Sequence, residues 1–221
     1  KALAPILEAL SAGEKQHLIH RWPVWARDQQ LPPDWDWTIW LLLGGRGSGK
    51  TRAGAEWVRA IATGDPTFGL EGEPVGRIAL VGETYADVRD VMIEGESGLL
   101  ALHPPNQMPI WQSSRRRLEW PNGAVAQVYS SEDPDALRGP QFGAAWCDEL
   151  CKWKHAEETW NMLQFGLRLG DFPRQVVTTT PRPIKLLKAL IADNRTALTR
   201  MTTADNAKKS ASRFPSWVGK P

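Results

Sequence analysis

The stretch Leu41-Leu42-Leu43-Gly44-Gly45-Arg46-Gly47-Ser48-Gly49-Lys50-Thr51 decides the fold. The leucines behind Trp40 read as the end of a buried strand. Gly44 to Thr51 then fit G-x-x-x-x-G-K-[ST], the spacing of a phosphate-binding P-loop. Gly44, Gly45, Gly47 and Gly49, with Arg46 and Ser48 among them, let the backbone turn its N–H groups inward around a polyphosphate. Lys50 supplies a point charge for the outer phosphates, and Thr51 offers a hydroxyl to Mg2+. A helix predicted over 51–63 begins where the loop ends, so its positive dipole end faces the anion. A glycine-rich turn that binds nothing has no need of the Lys-Thr pair between a strand and a helix.

Working outward, the 221 residues, 42% of them hydrophobic, suffice for one α/β domain with a sizeable core. A net charge of +2 does not by itself indicate nucleic acid; a DNA partner has to be argued from local patches or from family resemblance. No apolar run is long enough to span a bilayer and no signal peptide is seen, so no membrane partner is expected. The chain opens on Lys1, as a segment trimmed from a longer protein would. Cys147 and Cys151 make no disulfide framework, which fits a reducing cytoplasm. With His155 they recur every fourth residue, but a structural zinc site needs four ligands and the sequence offers no fourth. Of the 12 tryptophans, Trp22, Trp25, Trp35, Trp37 and Trp40 precede the P-loop. They predict an aromatic N-terminal subdomain packed on the P-loop strand.

Residues 1–22 read as helical, with a capping box at Ser11–Glu14 and a stop at Pro23. Gln29 and Gln30 lie just upstream of the first strand, 37–43. An amide there can read an adenine edge, since it both donates and accepts, or it can simply be solvated. A second buried strand is predicted at 77–82 and a helix at 85–102, stopped by His103-Pro104-Pro105. Asn122-Gly123 between alternating runs signals a hairpin, which adds antiparallel strands at a sheet edge. Arg115, Arg116 and Arg117 beside it either touch phosphate or guard that edge against aggregation. A strand leads into Asp148-Glu149, a helix comes next over 155–169, and 175–180 forms another strand. Pro181 and Pro183 start a helix to about residue 193, and 196–201 is a weaker strand. The order predicts an α/β fold with a mostly parallel sheet, helices on both faces and an added antiparallel hairpin. Three parts are expected: a helical and aromatic subdomain over 1–36, a P-loop core over 37–203, and a polar linker over 204–221.

Asp148 and Glu149 sit at the carboxyl end of a strand, the edge where α/β folds bind ligands. Asp148 is placed to hold Mg2+ opposite Thr51, and Glu149 to act as general base on an attacking water. Arg46 and Arg138 compete as the clamp on a transferring phosphoryl group; either can equally be a salt-bridge former. Thr178, Thr179 and Thr180 end the next strand, where hydroxyls contact a γ-phosphate or merely fill a strand.

Three segments in order, W-L-L-L-G-G-R-G-S-G-K-T-R-A-G-A-E-W, A-L-R-G-P-Q-F-G-A-A-W-C-D-E-L and V-V-T-T-T-P-R-P, resemble the large terminase subunit of tailed phages. The likeness is to terminases of prophage-like elements and bacterial gene transfer agents, and runs from about Gln30 to about Asn206. The resemblance implies an additional-strand P-loop ATPase that uses ATP and Mg2+ to drive double-stranded DNA into a procapsid. It implies an adenine motif at Gln29-Gln30, Walker A at Gly44–Thr51, Walker B and catalytic glutamate at Asp148-Glu149, and a coupling motif at Thr178–Thr180. Arg46 matches a proposed cis finger and Arg138 a proposed trans finger, while Asp205-Asn206 resembles a later motif. The implied partners are the portal protein, a small terminase subunit and further copies in a ring at the portal, in the bacterial host cytoplasm; an isolated fragment is expected to be monomeric. Family members continue into an RNase H-like nuclease domain, expected beyond this chain. The competing readings are a helicase-like or repair P-loop ATPase, and a nucleotide-dependent portal-docking module without useful turnover.

Overall fold

The computed structural model describes residues 9–66 and 73–203. The predicted linker over 204–221, with Asp205 and Asn206, lies outside the described residues, as do 1–8 and 67–72. An 8-stranded sheet runs in the order β3-β4-β5-β2-β6-β7-β1-β8. Its strands are β1 Ile39–Gly44, β2 Arg77–Gly82, β3 Ile110–Gln112, β4 Arg117–Glu119, β5 Val125–Ser130, β6 Ala144–Asp148, β7 Arg174–Thr179 and β8 Thr196–Met201. Pairing is parallel from β5 to β8 and antiparallel among β3, β4 and β5. The α/β fold with its antiparallel addition is therefore the one the sequence predicts.

Central strands covered on both faces need continuous apolar runs, and β1 is buried at every position. Its side chains alternate between two cores. Trp40 and Leu42 join Trp37, Trp57 and Val58 under the helix after the P-loop; Ile39, Leu41 and Leu43 join Leu163, Leu187 and Leu190 on the opposite face. Six helices flank the sheet among the described residues: α1 Ala12–Ile19, α2 Trp22–Trp25, α3 Lys50–Thr63, α4 Tyr85–Asp87, α5 Ala156–Gly166 and α6 Lys185–Ala192. The Trp37 ring lies 6.2 Å from both Trp40 and Trp57, and Trp22 is buried in the same cluster. Arg52 stacks on Trp22, and buried Arg59 pairs with buried Glu56 at 2.8 Å while reaching the His20 carbonyl. Trp35 remains outside that core, 46% exposed.

Several boundaries differ from the sequence reading. Residues 1–22 are not one helix: Ser11 is extended and starts α1, its hydroxyl accepting from the Glu14 N–H in the predicted capping box. Pro23 lies in the first turn of α2 rather than ending a helix, since its missing N–H costs nothing there. The predicted helix 85–102 stops early. After α4 it continues as a π-helical stretch over Val88–Ile93 and then turns back at Gly95 and Gly98. A Cβ on Gly98 would lie 2.6 Å from the Ile93 carbonyl oxygen, so that turn requires glycine. Pro181 and Pro183 do not start α6, which begins at Lys185. A proline disfavours the helical region for its predecessor, and residues 180–184 stay outside any helix, with Ile184 extended just before α6. The Asn122-Gly123 turn joins β4 to β5 as read, with Gly123 at φ +85°, and β3 adds an outer strand that the sequence reading did not assign. Arg117 pairs with Glu119 at 2.9 Å and Arg116 stacks on Tyr85 at 3.8 Å, so part of the arginine run is committed to the edge itself.

Candidate active site

The carboxyl ends of β1, β6 and β7 meet at one rim of the sheet, because the three strands are parallel neighbours. β1 delivers the loop Gly45–Gly49 and α3 leaves it with its N-terminus at Lys50. Gly49 sits at φ +87°, a backbone conformation that favours glycine, and a Cβ there would push against Gln30 Nε2 at 2.7 Å.

Gln30 is buried and turned onto the loop: its Nε2 donates to the Gly49 carbonyl at 3.1 Å, and its Oε1 accepts from Arg27 Nε at 3.1 Å. Arg27, also buried, donates through Nη2 to the Ser48 carbonyl. Together they form a strut under the phosphate loop, and Gln29 is exposed beside them. Sequence reasoning missed Arg27. The signal was an arginine three residues before a glutamine in a short helical turn, too common a pattern to single out.

Lys50 is buried and folded back, its Nζ donating to the Gly44 and Gly45 carbonyls at 2.7 and 3.1 Å. It also lies 3.6 Å from Glu149 Oε1. Glu149 has φ +47°, a left-handed conformation uncommon outside glycine. That kink turns the chain out of β6 and carries the carboxylate to Thr180, which donates from its backbone N–H at 3.1 Å and its hydroxyl at 3.3 Å. Asp148, the last residue of β6, accepts from the Thr178 hydroxyl at 2.5 Å. Burial pushes the Asp148 carboxyl up to about 6, against the Thr178 hydrogen bond, which favours the charged form. Thr179 instead accepts from the Cys151 N–H at 3.0 Å, and Trp153 donates to the Asp148 carbonyl at 2.9 Å, fixing the turn after the acids. The three threonines thus each hold a different part of the acid segment.

The two arginines are not brought together. Arg46 is exposed on the loop, its carbonyl accepting from the Thr203 hydroxyl at 2.9 Å. Arg138 ends a turn after β5, 66% exposed, and pairs with Asp135 at 2.7 Å rather than with the loop. Cys147 is buried in β6, where burial raises its thiol pKa; among the described residues no group of His, Cys, Asp or Glu forms a metal cluster.

A nucleoside triphosphate with Mg2+ fits this chemistry. The Ser48 hydroxyl is buried in the loop without a protein partner, and Lys50 is satisfied by loop carbonyls that a phosphate can replace. Thr51 and Asp148 offer hard oxygen donors, and Mg2+ is commonly held by one or two protein oxygens plus substrate phosphates.

Comparison with known proteins gives a consistent picture. The family model described as "Terminase large subunit, T4likevirus-type, N-terminal" matches residues 41–217. The large terminase of a thermophilic bacteriophage, solved in complex with ADP, superposes with a TM-score of 0.59 at 15% identity over 93% of this chain. The chain spans about half of that protein, covering 48% of it. The large terminase ATPase domain of Thermus phage P74-26 superposes with a TM-score of 0.53 at 16% identity, over 88% of this chain and 82% of that one. The comparison with curated proteins found no match.

Proposed function

The chain belongs to the terminase large-subunit family, T4likevirus type, N-terminal part, and on that premise we propose that it is the ATPase motor domain that drives double-stranded DNA into a procapsid. The observation that carries this reading is the arrangement around Glu149. One carboxylate lies beside Lys50 of the phosphate loop and is hydrogen-bonded to Thr180 at the end of β7. A loop that only stored nucleotide would gain nothing from tying a strained glutamate to the neighbouring strand.

In this reading Lys50 leaves the loop carbonyls for the outer phosphates, and the N-terminus of α3 faces the same anion. Thr51 and Asp148 hold Mg2+, which when bound supplies charge neutralisation across the phosphate oxygens. Glu149 orients the attacking water and takes its proton. Loss of the γ-phosphate changes what Glu149 and Lys50 face, and Thr178–Thr180 pass that change into β7. Arg46 neutralises charge in cis. Arg138, exposed and far from saturated by Asp135, is suited to acting in trans on a neighbouring copy in a ring. The core over 37–203 is the catalytic unit, and Arg27 and Gln30 just before it buttress its loop. The portal protein and a small terminase subunit are the packaging partners, met in the bacterial host cytoplasm at the procapsid.

Phosphate release by this chain, with and without duplex DNA, tests the proposal. Glu149→Gln is expected to cut turnover by roughly 10²–10⁴-fold with ATP binding retained. Wild-type protein that binds ATP yet never releases phosphate, at any concentration and with DNA present, points instead to a nucleotide-dependent docking module.

A further inference from the structure

Trp146 is the central residue of β6, two before Asp148, and is fully buried. Its indole lies under α3. A Cβ on Gly54, one turn into that helix, would sit 2.5 Å from Trp146 Nε1, so nothing larger than glycine fits over the ring. A glycine inside a helix costs roughly 1 kcal/mol relative to alanine, and here it admits the indole. A buried indole N–H needs an acceptor. Trp146 Nε1 donates to Thr178 Oγ1 at 2.9 Å, and the same hydroxyl donates to Asp148 Oδ1 at 2.5 Å. The Thr178 hydroxyl has another acceptor in range, the Cys147 carbonyl at 3.3 Å. With one proton to give and one incoming bond from Trp146, its orientation is set by what surrounds it.

We propose that Trp146 is a positioning residue for Asp148: wedged beneath Gly54, its indole N–H fixes the Thr178 hydroxyl so that its proton goes to Asp148. The column Gly54–Trp146–Thr178–Asp148 then joins the P-loop helix to the acid through the interior of the sheet. A donor into Thr178 strengthens its donation onward, and it holds one Asp148 oxygen so that the other stays available to an incoming ligand. The part concerning Mg2+ rests on the ATPase reading; the hydrogen-bonded column does not.

The first test is spectroscopic and independent of nucleotide. In protein labelled with ¹⁵N-tryptophan, the Trp146 indole N–H resonance, identified by its loss in Trp146→Phe, is expected to shift in Thr178→Val and also in Asp148→Asn. No shift in Asp148→Asn overturns the column. The second test is the Mg2+ half-saturation of ADP binding in folded protein. Trp146→Phe keeps a ring under Gly54 but removes the N–H, and is expected to raise the half-saturation roughly tenfold. Thr178→Val raises it as well, and the double variant is expected to be no worse than Thr178→Val alone, because Trp146 acts through Thr178. Effects that simply add reveal a packing defect and overturn the positioning role. Indole shifts in both variants, with wild-type protein that neither binds Mg2+-ADP nor hydrolyses ATP, overturn the motor reading and leave the column standing.

Discussion

Thr180 grips the carboxylate of Glu149 twice, from its backbone N–H at 3.1 Å and from its hydroxyl at 3.3 Å. The glutamate that would activate water is thereby fastened to the strand that would report the reaction. Thr180→Ala removes only the hydroxyl bond. It is expected to lower kcat several-fold with KM for ATP unchanged, and Thr180→Ser to restore it. Steady-state phosphate release separates the two parameters; a raised KM with normal kcat would place Thr180 in ground-state binding instead.

Arg27 holds the loop through the Ser48 carbonyl and Gln30. Arg27→Ala leaves buried acceptors without their charged donor, which costs about 2 kcal/mol. We expect a lower melting temperature and a KM for ATP raised more than kcat falls. Lysine lacks the planar fork that serves both acceptors, so Arg27→Lys is expected to recover little of either.

Arg138 and Arg46 are separable by concentration. Arg46→Ala is expected to lower specific activity equally at all protein concentrations. Arg138→Ala is expected to remove the rise of specific activity with concentration while sparing the dilute value, since its guanidinium is 66% exposed and away from its own loop. Mixing Arg138→Ala with Glu149→Gln protein checks this: a neighbour's arginine restores activity to the Arg138→Ala sites, and a cis role does not.

His103 gives the fold an acid-sensitive point. It is buried, its Nδ1–H donates to the Leu99 carbonyl at 2.8 Å, and its Nε2 accepts from Trp120 Nε1 at 2.8 Å, so the neutral ring is the one that fits. Burial lowers its pKa from 6.5 to about 4. The unfolded chain therefore binds the extra proton first. The contribution is fully present above pH 6.5 and is lost as pH falls toward about 4, on the order of 3 kcal/mol in all. Asp148 acts in the opposite sense: its raised pKa, about 6 against 3.8, favours the folded state at low pH and is lost as pH rises through that window. Denaturant unfolding of wild type and His103→Gln isolates the histidine. The difference in stability between them is expected to shrink as pH falls from 6.5 to 4.

The parts of the fold and site with local signals are legible in the chain alone. The apolar run of β1, the glycine spacing of the loop and the start of α3 succeed one another within 41–63, so strand, phosphate loop and helix were legible together. The acids at the end of β6 were legible for the same reason, an apolar run ending in Asp148-Glu149. The contacts across strands arise only on packing. The register that sets Asp148 opposite Thr178 puts one threonine on each acid and a third on the turn that follows them, which no spacing in the chain reports. The same holds for Arg27 under the loop and for Trp146 under Gly54. The helix predicted to reach residue 102 ends early because close backbone approach of Gly95 to Val91 and of Gly98 to Ile93 forces a turn there. Periodicity specifies which face of a segment is buried; register and close backbone approach specify which groups meet there, and those are properties of the packed sheet.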